Sequence, residues 1–270
     1  ENTLPVLMTE SGSILTKTES YSTSKLINWV ISSKLKKYPK KRSSLLLNAS
    51  LAVMLFLFSC AKDPIPEPLD FAYDLYPISV GDYRTYEVDS IVFNDFTGDI
   101  DSFKYQVQEF IAEEYKDLEN RTSFKFHRLF RQNSSENWAI GDVWSITPTS
   151  QRLETREENI PYIKLIFPIE YQSNWDGNAL NTFEDEIFEV KTFDSTATIL
   201  NEQRKLSRVE HYNRVNLIER QSKQEIFARG IGPIYYQQEY VFRKTDGINF
   251  ENDVDSGFTR VAHIIDYFVQ

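Results

Sequence analysis

Apolar and aromatic residues recur at every second position from Phe71 onward, and this alternation constrains the fold more than any other feature. In the first long segment, Tyr86, Val88 and Val92 fall on one face, and the last such segment is Val261–Phe268. A period of two is that of an extended strand, whereas a helix repeats every 3.6 residues. Because polar turns interrupt the pattern roughly every 8–14 residues, we predict a mainly β domain of antiparallel strands.

Two stretches carry additional local signals. We predict a strand at Ser207–Tyr212, and one or two helical turns within Asn201–Leu217 are the alternative. Gly230 and Gly232 are followed by Pro233. Glycine allows a positive φ where a hairpin reverses tightly, and proline removes a hydrogen-bond donor at the start of the next strand. We therefore predict that Gly230 and Gly232 form a structural turn.

The segment Lys40–Cys60 has the three parts of an export signal. Basic residues precede an apolar run, Leu45–Phe58, which only two polar residues interrupt. A membrane-spanning helix needs about 20 apolar residues, so this shorter run suits the hydrophobic region of a cleaved signal. An uncleaved anchor or a plain buried segment is the alternative. Cys60 is the sole cysteine of the chain, so no disulfide competes for it.

The end of this segment, Leu57-Phe58-Ser59-Cys60, resembles the lipobox of Gram-negative exported lipoproteins, in which a small residue precedes an obligatory cysteine. Phe58 is bulkier than the residue usual at its position. The resemblance implies that the thiol receives a diacylglyceryl group and that cleavage leaves Cys60 as an N-terminus acylated with chains such as palmitate. It also implies a lipid-anchored protein of the cell envelope, in the outer membrane, on its periplasmic or its surface face.

Two further motifs, VGDYRTYEV at Val80–Val88 and ARGIGPI at Ala228–Ile234, also resemble this broad group of lipoproteins. Several of its members are similar to the LolA/LppX-like fold, a strongly curved antiparallel sheet closed on one side by helix. The resemblance implies a single, strongly curved antiparallel sheet or half-barrel with little helix. In that fold the concave face can hold acyl chains.

Net charge divides the chain at the same cysteine, with +5 on residues 1–59 and −15 on the remainder. An acidic mature domain argues against binding nucleic acid, and against binding anionic lipid headgroups by bulk charge. We predict four segments: a non-native upstream segment with the signal n-region (1–43), the hydrophobic region and lipobox (44–59), a proline-rich tether (60–70) and the β-domain (71–270). A real cytoplasmic extension is the alternative for the first 33 residues.

The histidines and the acidic residues near the C-terminus do not suggest a metal site. His127, His211 and His263 lack ligand spacing, so we interpret them as ordinary strand residues. Glu251, Asp253 and Asp255 alternate as in a calcium loop, but the glycine comes one position late. We expect no bound metal and no cofactor.

Catalytic motifs are also missing, since there is neither a nucleophile elbow nor a phosphate-binding glycine loop. Glu184, Asp185, Glu186 and Glu189 could supply the carboxylates of a glycoside hydrolase, although a solvated strand edge is the simpler interpretation. Trp175 begins a motif that predicts a turn with a packed tryptophan. We expect the protein not to be an enzyme.

Three function classes remain: a non-catalytic binding or scaffolding module, a carrier of lipid or another apolar ligand, and an envelope hydrolase. The expected partners are the membrane, through the lipid anchor, and an envelope protein, glycan or lipid. Tyr235, Tyr236 and Tyr240 lie in one segment, and we expect them to fill a core. A filled core favours the module, a wide pocket lined by Phe and Tyr favours the carrier, and converging carboxylates favour the enzyme.

Overall fold

The computed structural model of the protein describes residues 68–250 and 252–270, which belong to one unit, Glu67–Gln270. The predicted signal, Cys60 and most of the predicted tether lie outside the described residues. The described part contains a 3-10 helix, Tyr73–Leu75, and twelve strands. The strands are β1 (Tyr83–Phe93), β2 (Ile100–Lys116), β3 (Thr122–Arg131), β4 (Ala139–Pro148), β5 (Arg152–Glu157), β6 (Ile160–Ile166), β7 (Asn174–Asp176), β8 (Ile187–Ile199), β9 (Glu202–Val215), β10 (Glu219–Ala228), β11 (Gly232–Arg243) and β12 (Val254–Phe268). Within these ranges no helix has the length and apolar character needed to cross a membrane.

All twelve strands form one antiparallel sheet, in the order β6-β5-β4-β3-β2-β1-β12-β11-β10-β9-β8-β7. Strands consecutive in the chain are neighbours in the sheet, apart from β6 and β7, which form its two edges. The first and last strands pair at the centre, from Tyr83 opposite Phe268 to Phe93 opposite Gly257. The prediction of a mainly β domain with a single, strongly curved antiparallel sheet and little helix is confirmed.

The two edges approach each other, so the sheet is nearly closed and barrel-like. The Ile163 N–H on β6 donates to the carbonyl oxygen of Gly177, just after β7 (2.9 Å), and Trp175 Nε1 on β7 donates to the carbonyl oxygen of Ile163 (3.0 Å). The helix implied by the family resemblance is not found, since the described residues contain no α-helix. The sheet is closed by its own edges instead, because strand twist and curvature bring them together.

One end of the barrel-like sheet is sealed by the segment that precedes β1. Ala72, Leu75 and Tyr76 are buried there and share one apolar cluster with inward-facing strand residues such as Ile111 and Phe227. Burial of this apolar surface stabilises the closed end. We call this the sealed end: β1 begins there and β12 ends there. The opposite end is formed by the β1–β2, β3–β4, β5–β6, β7–β8, β9–β10 and β11–β12 loops.

The strand predicted at Ser207–Tyr212 is confirmed, and the helical alternative for Asn201–Leu217 is wrong. This segment forms β9, which pairs with β8 on one side and with β10 on the other. Its residues Ser207, Val209 and His211 are buried at every second position. Hydrogen bonding to two neighbouring strands, together with burial of one face, outweighs a weak local preference for helix.

A buried arginine fixes the turn between β10 and β11. Gly230 and Gly232 adopt φ values of +74° and +104°, which glycine tolerates best. Arg84 is 1% exposed; its Nε donates to the carbonyl oxygen of Ile231, and its Nη2 donates to that of Pro77 (2.7 Å). A Cβ atom on Gly232 would lie 2.5 Å from Arg84 Nε. The missing side chain at position 232 therefore leaves the space in which the guanidinium reaches its main-chain acceptors.

Replacing Gly232 by alanine tests this packing. We expect Gly232→Ala to lower the free energy of unfolding by more than about 2 kcal/mol. Alanine is strained at this positive φ, and its methyl group would displace the Arg84 guanidinium from its hydrogen bonds. Urea denaturation measures the loss. The matched control is Gly98→Ala: its φ is also positive (+73°), but nothing lies within 4 Å of its Cβ position, so the expected loss is only about 1 kcal/mol. Equal losses in the two variants would contradict the role of Arg84.

Candidate ligand-binding site

The barrel-like sheet encloses a cavity of about 690 Å³. The cavity opens away from the sealed end: along β3 the inward-facing side chains pass from buried Phe124 and Phe126 to half-buried Phe130. Ligand pockets have volumes of about 300–1,000 Å³, whereas packed cores leave few voids larger than a water molecule. The interior of this sheet is therefore not a filled core.

Aromatic side chains form much of the cavity wall. They are Tyr76, Tyr86, Tyr105, Phe126, Phe130, Trp144, Tyr162, Phe183, Phe188, Tyr235 and Tyr236. Tyr235 and Tyr236 also pack against the apolar cluster that contains Tyr86 and Ala262, as expected of core residues, while Tyr240 packs on Phe242 with 5.0 Å between the ring centroids. Aromatic rings offer apolar faces, and Tyr and Trp add a polar edge. Such walls suit a ligand that carries both apolar and polar groups.

A chain of charged side chains runs along one side of the cavity. Lys164 Nζ on β6 donates to Glu225 Oε1 on β10 (2.6 Å), and Glu225 Oε2 lies 3.0 Å from His211 Nε2 on β9. The other ring nitrogen, His211 Nδ1, lies 3.6 Å from Glu186 Oε1. Lys223 Nζ lies 3.7 Å from the same carboxylate oxygen. All five residues line the cavity; they come from β6, from the residue before β8, and from β9 and β10, which closure of the sheet brings to one side.

Two carboxylates of this chain are held ionised. Burial raises the pKa of Glu225, but the charge of Lys164 and hydrogen bonds from His211 and Lys164 outweigh burial and hold that pKa well below its usual range. Burial likewise raises the pKa of Glu186, but the neighbouring His211 ring and the Lys223 charge outweigh burial. The pKa of Glu186 is therefore lower than that of an exposed glutamate. An ionised carboxylate can only accept hydrogen bonds, so His211 Nε2 carries the hydrogen that faces Glu225.

A second polar group lies on β2, β3 and β4. The Arg128 guanidinium lies 4.4 Å from the centroid of the Trp144 ring, and its Nη1 donates to Asp142 (3.2 Å). Arg128 Nε is 4.0 Å from Glu109 Oε1, which is too far for a hydrogen bond. Burial raises the pKa of Glu109, and the Arg128 charge offsets only part of that effect. Glu109 therefore retains a proton more readily than an exposed glutamate does.

Three polar atoms of cavity-lining residues are buried without a hydrogen-bond partner in the described part of the chain: Arg128 Nε, Glu186 Oε1 and His211 Nδ1. The His211 side chain is 3% exposed, so its ring nitrogen has little access to bulk water. A buried polar group without a partner costs on the order of 1–3 kcal/mol. A molecule that enters the cavity with matching donors and acceptors would remove this cost.

The structure separates the four carboxylates singled out in the sequence. Glu186 lines the cavity, whereas Glu184 and Asp185 are exposed in the preceding loop. Glu189 forms an ion pair with Lys191 (2.7 Å). The four residues do not form one acidic site.

The acidic residues near the C-terminus do not form a calcium loop in the described part of the chain, from which Glu251 is excluded. The Asp253 carboxylate accepts hydrogen bonds from the backbone N–H groups of Ile248 and Asn249 (2.7 and 3.1 Å), so it stabilises the β11–β12 loop. Across residues 68–250 and 252–270, no cluster of three or more His, Cys, Asp or Glu side chains could hold a metal ion.

The histidines and the tryptophan have separate roles. His263 is exposed on β12, 3.6 Å from Glu87, and His127 is half-buried on β3. Sequence reasoning missed His211, whose signal was a polar residue at an inward-facing position of the alternating pattern. Trp175 is 7% exposed and packs edge-on against Phe188, with 5.6 Å between the ring centroids, so its ring belongs to a buried apolar cluster and is not a free stacking surface.

Comparison with known proteins adds little. No family model matches this chain, and no curated protein matches it. A solved structure of a candidate lipoprotein from Parabacteroides distasonis is similar to it at 10% sequence identity, covering 75% of this chain and 100% of that chain with a TM-score of 0.35. A likeness this low carries no argument about the fold or the function of this chain.

Removing the charge of Glu225 tests the buried network. We expect Glu225→Gln to lower the free energy of unfolding by about 3–5 kcal/mol at neutral pH, because Lys164 is left charged and unpaired in the interior. The folded-state pKa of Glu225 is depressed, so its contribution is complete above the ordinary pKa of about 4.3 and is lost as the pH falls below it. The wild-type protein should therefore lose more stability on acidification than Glu225→Gln.

Urea denaturation at a series of pH values measures this difference. Glu184→Gln, which removes the charge of an exposed carboxylate, is the control and should follow the wild-type curve. If Glu225→Gln kept the wild-type pH dependence, Glu225 would not be the depressed group.

Proposed function

We propose that this protein is a lipid-anchored lipoprotein of the cell envelope whose barrel-like sheet binds a small amphipathic molecule without transforming it. The cavity carries this proposal, because its volume of about 690 Å³ lies within the range of ligand pockets. Its wall combines aromatic surface with buried polar atoms that lack partners. Of the function classes left open by the sequence, binding is supported over scaffolding around a filled core.

An amphipathic ligand is favoured over a purely hydrocarbon one. Lys164, Glu186 and Glu225 line the cavity as charged groups, and packing an acyl chain against them would remove their remaining hydration without replacing it. The aromatic wall supplies the apolar part of the contact. A molecule with polar groups on an apolar or ring-shaped frame matches both.

The anchor rests on the sequence. The basic stretch, the short apolar run and the lipobox in series support lipidation of Cys60, and the prolines that follow suit an extended tether. The tether would join the domain close to Ala72, which lies at the sealed end. The mouth of the cavity lies at the end opposite Ala72. The proposed location is the outer membrane.

One observation favours a second candidate, an envelope hydrolase. Glu109 and Glu186 line the same cavity, and their pKa values are displaced in opposite directions. Carboxyl groups with this property serve as acid and base in glycoside hydrolysis. We rank this candidate second, because binding alone accounts for the aromatic wall and the unpartnered atoms.

Replacing Cys60 by alanine tests the anchor. We expect Cys60→Ala to abolish incorporation of a radiolabelled fatty acid and to leave the protein unprocessed, because the acyl acceptor is gone. Ser59→Ala keeps a small residue before the cysteine and should still be labelled. Labelling of Cys60→Ala at the wild-type level would refute lipidation at this position.

Filling the cavity tests the binding function. Ala262 lines the cavity and is 9% exposed, so Ala262→Phe places a ring inside it. Native mass spectrometry of protein purified from its own membranes should show a retained molecule of defined mass on the wild type and its loss from Ala262→Phe. The control is Ala139→Phe, which makes the same change at an exposed position of β4 and should retain the molecule.

Thermal melting of Ala262→Phe, run in parallel, distinguishes a filled cavity from an unfolded protein. Absence of any retained molecule from folded wild-type protein, or equal retention by both variants, would contradict ligand binding in this cavity.

A further inference from the structure

The cavity contains two gaps of the same kind. In each gap a side-chain nitrogen without a hydrogen-bond partner faces a carboxyl oxygen just beyond bonding distance. His211 Nδ1 and Glu186 Oε1 are 3.6 Å apart, and Arg128 Nε and Glu109 Oε1 are 4.0 Å apart. Hydrogen bonds between N–H donors and oxygen acceptors are normally 2.7–3.2 Å long, so neither pair is bonded directly. An oxygen atom placed beside the two atoms, about 2.8 Å from both, could bridge each pair.

The two gaps lie on opposite walls of the sheet. Arg128 and Glu109 are on the neighbouring strands β3 and β2, while His211 is on β9 and Glu186 immediately precedes β8. In the strand order, β9 comes six positions after β3, and β8 comes six positions after β2. Six positions are half of the twelve strands around the nearly closed sheet. A ligand that spans the cavity could therefore meet one gap with each end.

We propose that the ligand is a neutral polyhydroxylated molecule, a sugar or sugar-like polyol, with one hydroxyl group in each gap. This inference rests on the proposed binding function and specifies its ligand class. A hydroxyl group both donates and accepts, so beside Arg128 it can accept a hydrogen from Nε and give its own to the Glu109 carboxyl group, and beside His211 it can give its hydrogen to the ionised Glu186 carboxylate. The aromatic wall packs against the C–H face of the ring.

Charge excludes the other common donor and acceptor groups. An ammonium group beside Glu186 would also lie beside Lys223, whose Nζ is 3.7 Å from the same oxygen, and the two cations would repel each other. A ligand carboxylate in that gap would meet the ionised Glu186. An alkyl group would leave Arg128 Nε, His211 Nδ1 and Glu186 Oε1 unpartnered in a buried setting. A neutral hydroxyl avoids all three penalties.

The test uses calorimetric titration of the full chain with a panel of methyl glycosides of neutral hexoses and disaccharides. We expect at least one glycoside to bind, and its deoxy analogue lacking the bridging hydroxyl to bind about ten-fold more weakly or worse. Glu186→Gln should weaken binding about ten- to a hundred-fold. Glu184→Gln, two residues earlier and exposed, should bind as the wild type does.

A second variant keeps the proposal testable if Glu186→Gln does not fold. Arg128→Lys retains the positive charge but removes Nε, and it should weaken binding of the same glycoside. Binding by every variant at wild-type strength would overturn the inference, as would failure of the whole panel to bind. Hydrolysis of a bound glycoside would support the ligand class and overturn the non-catalytic function.

The experiment separates this inference from the function on which it rests. If Ala262→Phe loses a retained molecule but that molecule carries no hydroxyl groups, the ligand class is overturned and the binding function is supported. If the wild type neither retains a molecule nor binds a glycoside, both are overturned.

Discussion

The ion pair between Lys164 and Glu225 is the interaction on which the interior of this protein depends. It joins β6, an edge strand, to β10 on another part of the sheet, and both side chains are mostly buried, with 18% and 7% exposure. A buried ion pair stabilises a fold only when both groups are well hydrogen-bonded. Glu225 meets this condition, because its second oxygen is 3.0 Å from His211 Nε2. The pair thus helps to hold the edge strand in place while it keeps charge inside the sheet.

That charge explains why the sheet surrounds a cavity rather than a dry core. Ionised groups in a close-packed apolar interior would be severely destabilising, so the residues around them leave space and supply polar contacts. The apolar residues concentrate instead at the sealed end, around Leu75, Ile111 and Phe227. The interior therefore has two parts. Apolar packing at the sealed end stabilises the fold, and the amphipathic cavity is available to a ligand.

Much of the fold could be predicted from the sequence, because an alternating pattern has a local cause. The strand that contains Tyr86 and Val88 and the tight turn at Gly230 and Gly232 both follow from short-range preferences. The sequence could not exclude the helical alternative for Asn201–Leu217, because the pairing of β9 with β8 and β10 decides the conformation of this segment. Local signals reveal strands, but they do not reveal how the edges of a sheet meet.

The site was beyond sequence reasoning for the same physical reason. His211, Glu225 and Lys164 lie on three different strands, and their proximity results from closure of the sheet. The available signal was a polar residue at an inward-facing position. Glu225 lies two residues before buried Phe227, and His211 lies two residues after buried Val209, so each is expected on the inner face of its strand. That signal shows that a charge faces the interior, but it cannot show which partner lies opposite.

The measurement that tests this account most directly is a high-resolution crystal structure of the protein purified from its own membranes. The account predicts a closed sheet with density for an organic molecule in the cavity, within hydrogen-bonding distance of Glu186 and His211. An interior filled by its own side chains would contradict it. So would a cavity that contains ordered water alone.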